Sequence, residues 1–206
     1  MTTDSPFEQL KHPNPNLRER AMLEIAETRD EKTIPRLMGI LAEEDMVYRR
    51  AAVKALGVIG PDAVPSLVNS LLNSDNATIR ASCTKALAQV AVNHRENPFP
   101  AEGIQGLKTA LNDSDPVVHL SSVMALGAIG SPVLDILIET LKTTDNVAVA
   151  VAILNALGSI GDNKAAEALT ELANDESADS YIKESAASAL SRLEMVSQFQ
   201  RGAQKE

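Results

Sequence analysis

The chain has 206 residues, 44% of them hydrophobic and only 2% aromatic, and its 19 Lys and Arg against 28 Asp and Glu give a net charge of −9. A chain this acidic gains nothing from the bulk field of a phosphate backbone or an anionic bilayer, and without Trp it lacks the stacking platforms of single-strand binders, so nucleic acid is excluded as a partner unless a local basic stripe overrides the total. Its one cysteine, Cys83, excludes an internal disulfide framework, and His12, His94 and His119 are too far apart for a recognisable metal-ligand spacing.

The N-terminus, MTTDSPFEQL, has neither a basic start nor an apolar run, which argues against a secretory signal. No stretch reads as the roughly 20 apolar residues of a membrane span, so a soluble, cytoplasmic protein is expected. Further along, the string Ala55-Leu56-Gly57-Val58-Ile59-Gly60 returns at Ala125–Gly130 and again at Ala156–Gly161, with degenerate copies from Ala86 and Ala189. Successive starts lie 31, 39, 31 and 33 residues apart. A period near 31 marks an all-α solenoid, because one helix pair cannot bury its apolar stripe without a neighbour.

In chain order the pattern predicts six helix pairs, at 5–28, 31–59, 61–93, 100–130, 131–161 and 163–197, forming one repeat domain over 1–197. The first pair is degenerate, with Pro13 and Pro15 between short helices, and reads as an N-terminal cap over 1–28. Each second helix is expected to start at an Asp (Asp45, Asp75, Asp115, Asp145) and to end at Gly60, Gly130 or Gly161, which can adopt a left-handed exit. The 39-residue spacing locates an insertion at 93–100, NHRENPFP, whose prolines stop any helix. Residues 198–206 read as a polar, frayed tail.

The run Asp75, Arg80, Cys83, Ala86-Leu87 resembles HEAT-like repeats. More narrowly, Phe99-Pro100-Ala101-Glu102-Gly103-Ile104-Gln105-Gly106-Leu107-Lys108 resembles the phycobilin lyase branch, as do Asp113-Ser114-Asp115-Pro116-Val117-Val118 and 175–181. The likeness is closest to the shorter, F-type subunit of the heterodimeric phycocyanin α-subunit lyase. It implies an enzyme subunit that works with an E-type HEAT partner to attach phycocyanobilin, its substrate, to a cysteine of the phycocyanin α subunit, with no permanently bound cofactor or metal. A pigment-detaching factor and a non-catalytic HEAT adaptor remain open beside it.

Against that expectation the candidate residues carry two readings each. Six residues before each repeat alanine stand Arg49, Arg80, His119, Ala150 and Lys183. This ladder can face pigment propionates or an acidic partner, with Tyr48 and Arg50 enlarging the patch, or it can be structural, each Arg answering a neighbouring Asp. Cys83 invites a thiol-transfer role, but its register, shared with Ala52, Ser122, Ile153 and Ala186, fits a packed interface. His94, beside Arg95 and Asn97 in the insertion, reads either as a proton shuttle or as a cap on a helix C-terminus. Isomerising members of the family look like Asn-His-Cys at this stretch. Asn93-His94-Arg95 therefore argues for attachment without isomerisation. His12 is expected to be simply exposed.

Overall fold

Apolar stripes at spacings of three and four, broken at polar caps and glycines, produce helices throughout. The computed structural model describes residues 5–203, and side chains as far as 198. Among these residues there is no strand, and the helices are α1 (Pro6–Gln9), α2 (Pro15–Glu27), α3 (Thr33–Ile40), α4 (Met46–Ile59), α5 (Val64–Asn73), α6 (Ala77–Asn93), α7 (Ala101–Ala110), α8 (Pro116–Ile129), α9 (Leu134–Thr143), α10 (Val147–Ile160), α11 (Asn163–Asn174) and α12 (Ser180–Ala203). They are the six expected pairs. Residues 198–203, read as a frayed tail, continue α12.

The caps correct the sequence reading at two of four positions. Asp45 accepts the N–H groups of Val47 and Tyr48, and Asp115 those of Val117 and Val118. In α6 and α10 the cap is Asn76 and Asn146, one residue beyond Asp75 and Asp145. Those asparagines stand ten residues before the repeat alanine, as Asp45 and Asp115 do, and an amide oxygen caps as well as a carboxylate. Ser74 and Thr144 then take the N–H of the capping asparagine itself, at 3.2 Å in both cases. At the other end Gly60, Gly130 and Gly161 all have positive φ (87°, 87° and 75°), as the exits require.

The chain divides into two compact units, Met1–Ala125 and Leu126–Glu206. In the first, α2, α4 and α6 pack side by side, while α3 and α5 lie against α4 and α6 and α7 continues that second row. Leu37, Leu56, Leu67, Leu87 and Leu107 are wholly buried there, each contributing about 1.5–3 kcal/mol. The α4–α6 crossing is close because Gly57 faces the Gln89 side chain, where an added Cβ would sit 2.3 Å from the Gln89 Cβ. In the second unit α9, α10, α11 and α12 pack around Leu137, Ile153, Leu154, Leu157 and Leu169. Gly158 opposes the Ala189 backbone there, so small residues again set the approach and explain how a core with few aromatics closes.

One segment departs from the expectation about apolar length. Met46–Asn73 has a mean hydropathy of 1.3 over its most apolar window, enough by composition to cross a membrane. Gly60 and the short 3-10 turn Gly60–Ala63 break it into α4 and α5, and 61% of that window is buried in the core.

Candidate functional site

The arginine ladder is a set of loop staples. Arg80 Nη1 donates to the Ser74 carbonyl at 3.0 Å, six residues upstream, while Nε and Nη2 grip Asp113 of the next repeat at 2.8 and 2.9 Å. This hydrogen-bonded guanidinium holds the Asp113 carboxyl below the usual carboxylate range, and the same bond raises the pKa of Arg80. Arg49 makes the equivalent reach to the Glu43 carbonyl, again six residues back. Arg18, which the motif search missed, does the same to the His12 carbonyl at 2.6 Å. Positions 18, 49 and 80 are spaced by 31, so the period alone marks Arg18, although α2 lacks the Ala-Leu signature. Arg49 and Arg80 are thus occupied rather than presented to a ligand. His119, the next rung, is half-buried, and its Nε2 is buried without a hydrogen-bond partner among the described residues.

Tyr48 does not join a patch with Arg50. It is 6% exposed, its ring lies 4.5 Å from Lys11 Nζ, and burial raises the pKa of its hydroxyl. Cys83 is fully buried, and desolvation pushes its thiol up to about 12, so it stays protonated and inert. His12 is half-buried, with Nδ1 accepting the Asn14 N–H.

The insertion separates its three residues. His94 terminates α6, is half-buried, and places Nε2 3.1 Å from the Val58 carbonyl in the last turn of α4. With Nε2 protonated, the ring donates to that helix-end carbonyl. It lies against Gly60, where a Cβ would come within 2.5 Å of Nε2. His94 therefore ties two helix ends together. Asn97 closes the turn by donating its N–H to the His94 carbonyl, and Arg95 is exposed with no ion pair to any described residue.

A groove of about 480 Å³ runs over the outer stripes of α2, α4 and α6, within the about 300–1,000 Å³ typical of ligand sites. From α2 come Glu19, Met22 and Leu23; from α4 the stripe Val47, Arg50, Ala51, Lys54 and Val58; from α6 Gln89 and Asn93. Arg18 also borders it but is held by the His12 and Pro13 carbonyls. Arg50 and Lys54 are exposed and make no ion pair among the described residues. Of the residues singled out from sequence, Arg50 alone lines this groove, and the 93–97 turn leaves its rim at Asn93. No group of three or more described His, Cys, Asp or Glu side chains is arranged to hold a metal.

The fold is that of a helical-repeat protein, and the comparisons agree. The family model for HEAT repeats matches residues 3–88 and 104–191. Phycocyanin operon protein Z of Pseudanabaena tenuis is 55% identical over 98% of this chain and all of its own length. Bilin biosynthesis protein CpeZ of a Synechococcus species is 34% identical over 85% of this chain and 97% of its own. The chain belongs to the HEAT-repeat family and, within it, to the group that holds these two proteins. Among solved structures, the complex of CpcE and CpcF of phycocyanin lyase from a Nostoc species shares the fold at 18% identity, with a TM-score of 0.50 over 73% of this chain and 95% of that one. A designed armadillo repeat protein in complex with the peptide (KR)4 shares it at 17% identity, with a TM-score of 0.51 over 93% and 100%.

Proposed function

We propose that this protein is a pigment-handling HEAT subunit of a bilin lyase, in the position of the shorter F-type chain and paired with an E-type HEAT partner. Its task is to present phycocyanobilin to a cysteine of the phycocyanin α subunit. The acceptor thiol adds across the ring-A ethylidene group: the C–S bond forms and the thiol proton ends on the pigment. The groove over α2, α4 and α6 carries this reading, since it combines an apolar floor with two unpaired cations, the complement of an extended apolar pigment with carboxylates. The names of the two relatives, one from a phycocyanin operon and one from bilin biosynthesis, point the same way.

Two of the chain's own reactive groups are spoken for. Cys83 is buried as the neutral thiol, and His94 Nε2 is held at the Val58 carbonyl. Binding and orientation of the pigment are then this subunit's contribution to the rate. The His94-Arg95 pair, lacking the cysteine of isomerising relatives, supports a product that keeps the phycocyanobilin chromophore.

The test is ligation of phycocyanobilin to the phycocyanin α subunit in the presence of an E-type partner, read by zinc-enhanced fluorescence of the acceptor. Omitting this chain should remove most of the signal, and the product should absorb as attached phycocyanobilin. Unchanged ligation without this chain would overturn the assignment, and an isomerised violet product would overturn the chromophore part.

A further inference from the structure

We propose that Arg50 and Lys54 form a two-pronged carboxylate clamp, so that the groove selects a flat, elongated apolar ligand bearing two carboxylates near its middle. The inference rests on the pigment-handling reading and adds which part of the ligand is recognised, and by what.

Arg50 and Lys54 stand four residues apart on α4, on one face and about 5–6 Å from each other at Cβ. Like charges in that relation weaken a helix rather than support it, so the pair is not a device for helix stability. Both are exposed and have no ion pair among the described residues. α4 and α6, like α3, α5, α8 and α10, contain no Asp or Glu, so the one carboxylate lining the groove is Glu19 of α2. The other cations on these helices that point into the repeat, Arg49 and Arg80, are consumed by the Glu43 carbonyl and by Ser74 and Asp113. Arg18 is consumed likewise, by His12 and Pro13. Among the described residues, Arg50 and Lys54 are the groove cations that make no hydrogen bond or ion pair.

Their surroundings fix what lies on either side. Val47, Leu23 and the buried Met22 give an apolar wall toward the start of α4, and Val58 continues the stripe beyond Lys54. At the α6 wall the amides of Gln89 and Asn93 offer both donors and acceptors, suited to a lactam edge. Glu19, on the α2 wall, repels a carboxylate and so directs the charged groups toward α4. A ligand with one carboxylate at its tip engages one prong only. One with two, on neighbouring rings of a conjugated chain, engages both while its ends lie on apolar surface. A guanidinium and an ammonium each form charge-assisted bonds to such groups.

The experiment titrates phycocyanobilin and its dimethyl ester into the full chain, alone and with the E-type partner, and follows pigment absorbance. The free acid should bind wild type about tenfold or more tightly than the ester, which corresponds to about 1.4 kcal/mol. Arg50→Gln together with Lys54→Gln should bring the two affinities together, with an unchanged helical spectrum and a thermal midpoint no lower than wild type, because neither side chain is bonded to a described residue and a like-charge pair is removed. Glu19→Gln should tighten the free acid alone. Equal binding of acid and ester by wild type, or a double variant that keeps the preference, overturns the clamp and leaves the pigment reading standing. If neither compound binds wild type, with or without the partner, the pigment reading falls and the clamp with it.

Discussion

His94 acquires its role from two neighbours, the Val58 carbonyl that Nε2 meets at 3.1 Å and the bare Cα of Gly60 beneath its ring. The sequence offers a titratable ring beside Arg95 in an irregular loop, either a proton shuttle or a helix cap; the structure separates the two residues and ties His94 to a helix end. His94→Ala should lower stability by about 1–2 kcal/mol, through the lost bond and the unpaired helix-end carbonyl, whereas Arg95→Ala should leave the denaturation midpoint unchanged. Equal midpoints for the two variants would refute the tie between helix ends. Asp113 gives a second residue-scale expectation, in pH. Its carboxyl is held below the ordinary 3.8 by Arg80, so the folded state binds its proton less readily than the unfolded chain does. Stability from the pair is complete above that ordinary value and drains as pH falls through it and below. Asp113→Asn should therefore melt below wild type at neutral pH, and the gap should close on acidification to about pH 3 and lower. A gap that stays constant from pH 7 to pH 2 would show that the pair contributes no linked stability.

Between helices, the glycines of the repeat act by what they leave out. Gly57 brings α4 against α6, and a methyl group there would meet the Gln89 Cβ at 2.3 Å and its backbone carbonyl carbon at 3.3 Å. Gly57→Ala should cost about 1–3 kcal/mol through forced separation of the helices, despite the better helix propensity of alanine. Gly39, in α3, has nothing within 4 Å of an added Cβ, so Gly39→Ala should instead stabilise by about 0.5–1 kcal/mol. Urea unfolding of both variants checks the opposite signs, and a shared sign would show that packing at Gly57 is not the controlling contact. The recurrence of Ala-Leu-Gly-x-Ile-Gly made the six pairs and their glycine exits legible, because period and turn chemistry are local properties. The caps at Asn76 and Asn146 were legible too, had the count of ten back from each alanine been followed. The groove was not. Glu19, Val47, Lys54, Gln89 and Asn93 come together only when three repeats stack, and nothing in the spacing within one helix marks residues that meet across helices. The same blindness left the arginine ladder open between a ligand face and a structural ladder; Arg80 does answer Asp113 as the structural reading has it, but the carbonyls of His12, Glu43 and Ser74 carry no sequence mark.

At the scale of the whole chain, HEAT repeats span both units, and the two side chains named from sequence for thiol transfer or proton shuttling are taken up, Cys83 by burial and His94 by a hydrogen bond. On the proposed function, a subunit built this way would hold its pigment without covalent capture. Thiol transfer through this chain would need Cys83 to reach solvent as a thiolate, against full burial and a pKa of about 12. That needs opening of the α6 interface, whose neighbours Thr84 and Ser121 are themselves joined at 2.6 Å in the core. Incubating the chain with phycocyanobilin alone, denaturing it in acid and measuring its mass should therefore show the unmodified protein. With the E-type partner and apo-phycocyanin α subunit added, the pigment mass should appear on the acceptor only. Cys83→Ala should ligate at the wild-type rate, and a thiol reagent should label Cys83 only after the fold is lost. Pigment found on this chain, or ligation that disappears in the alanine variant, would place the covalent chemistry here and reverse the division of labour proposed for the two subunits.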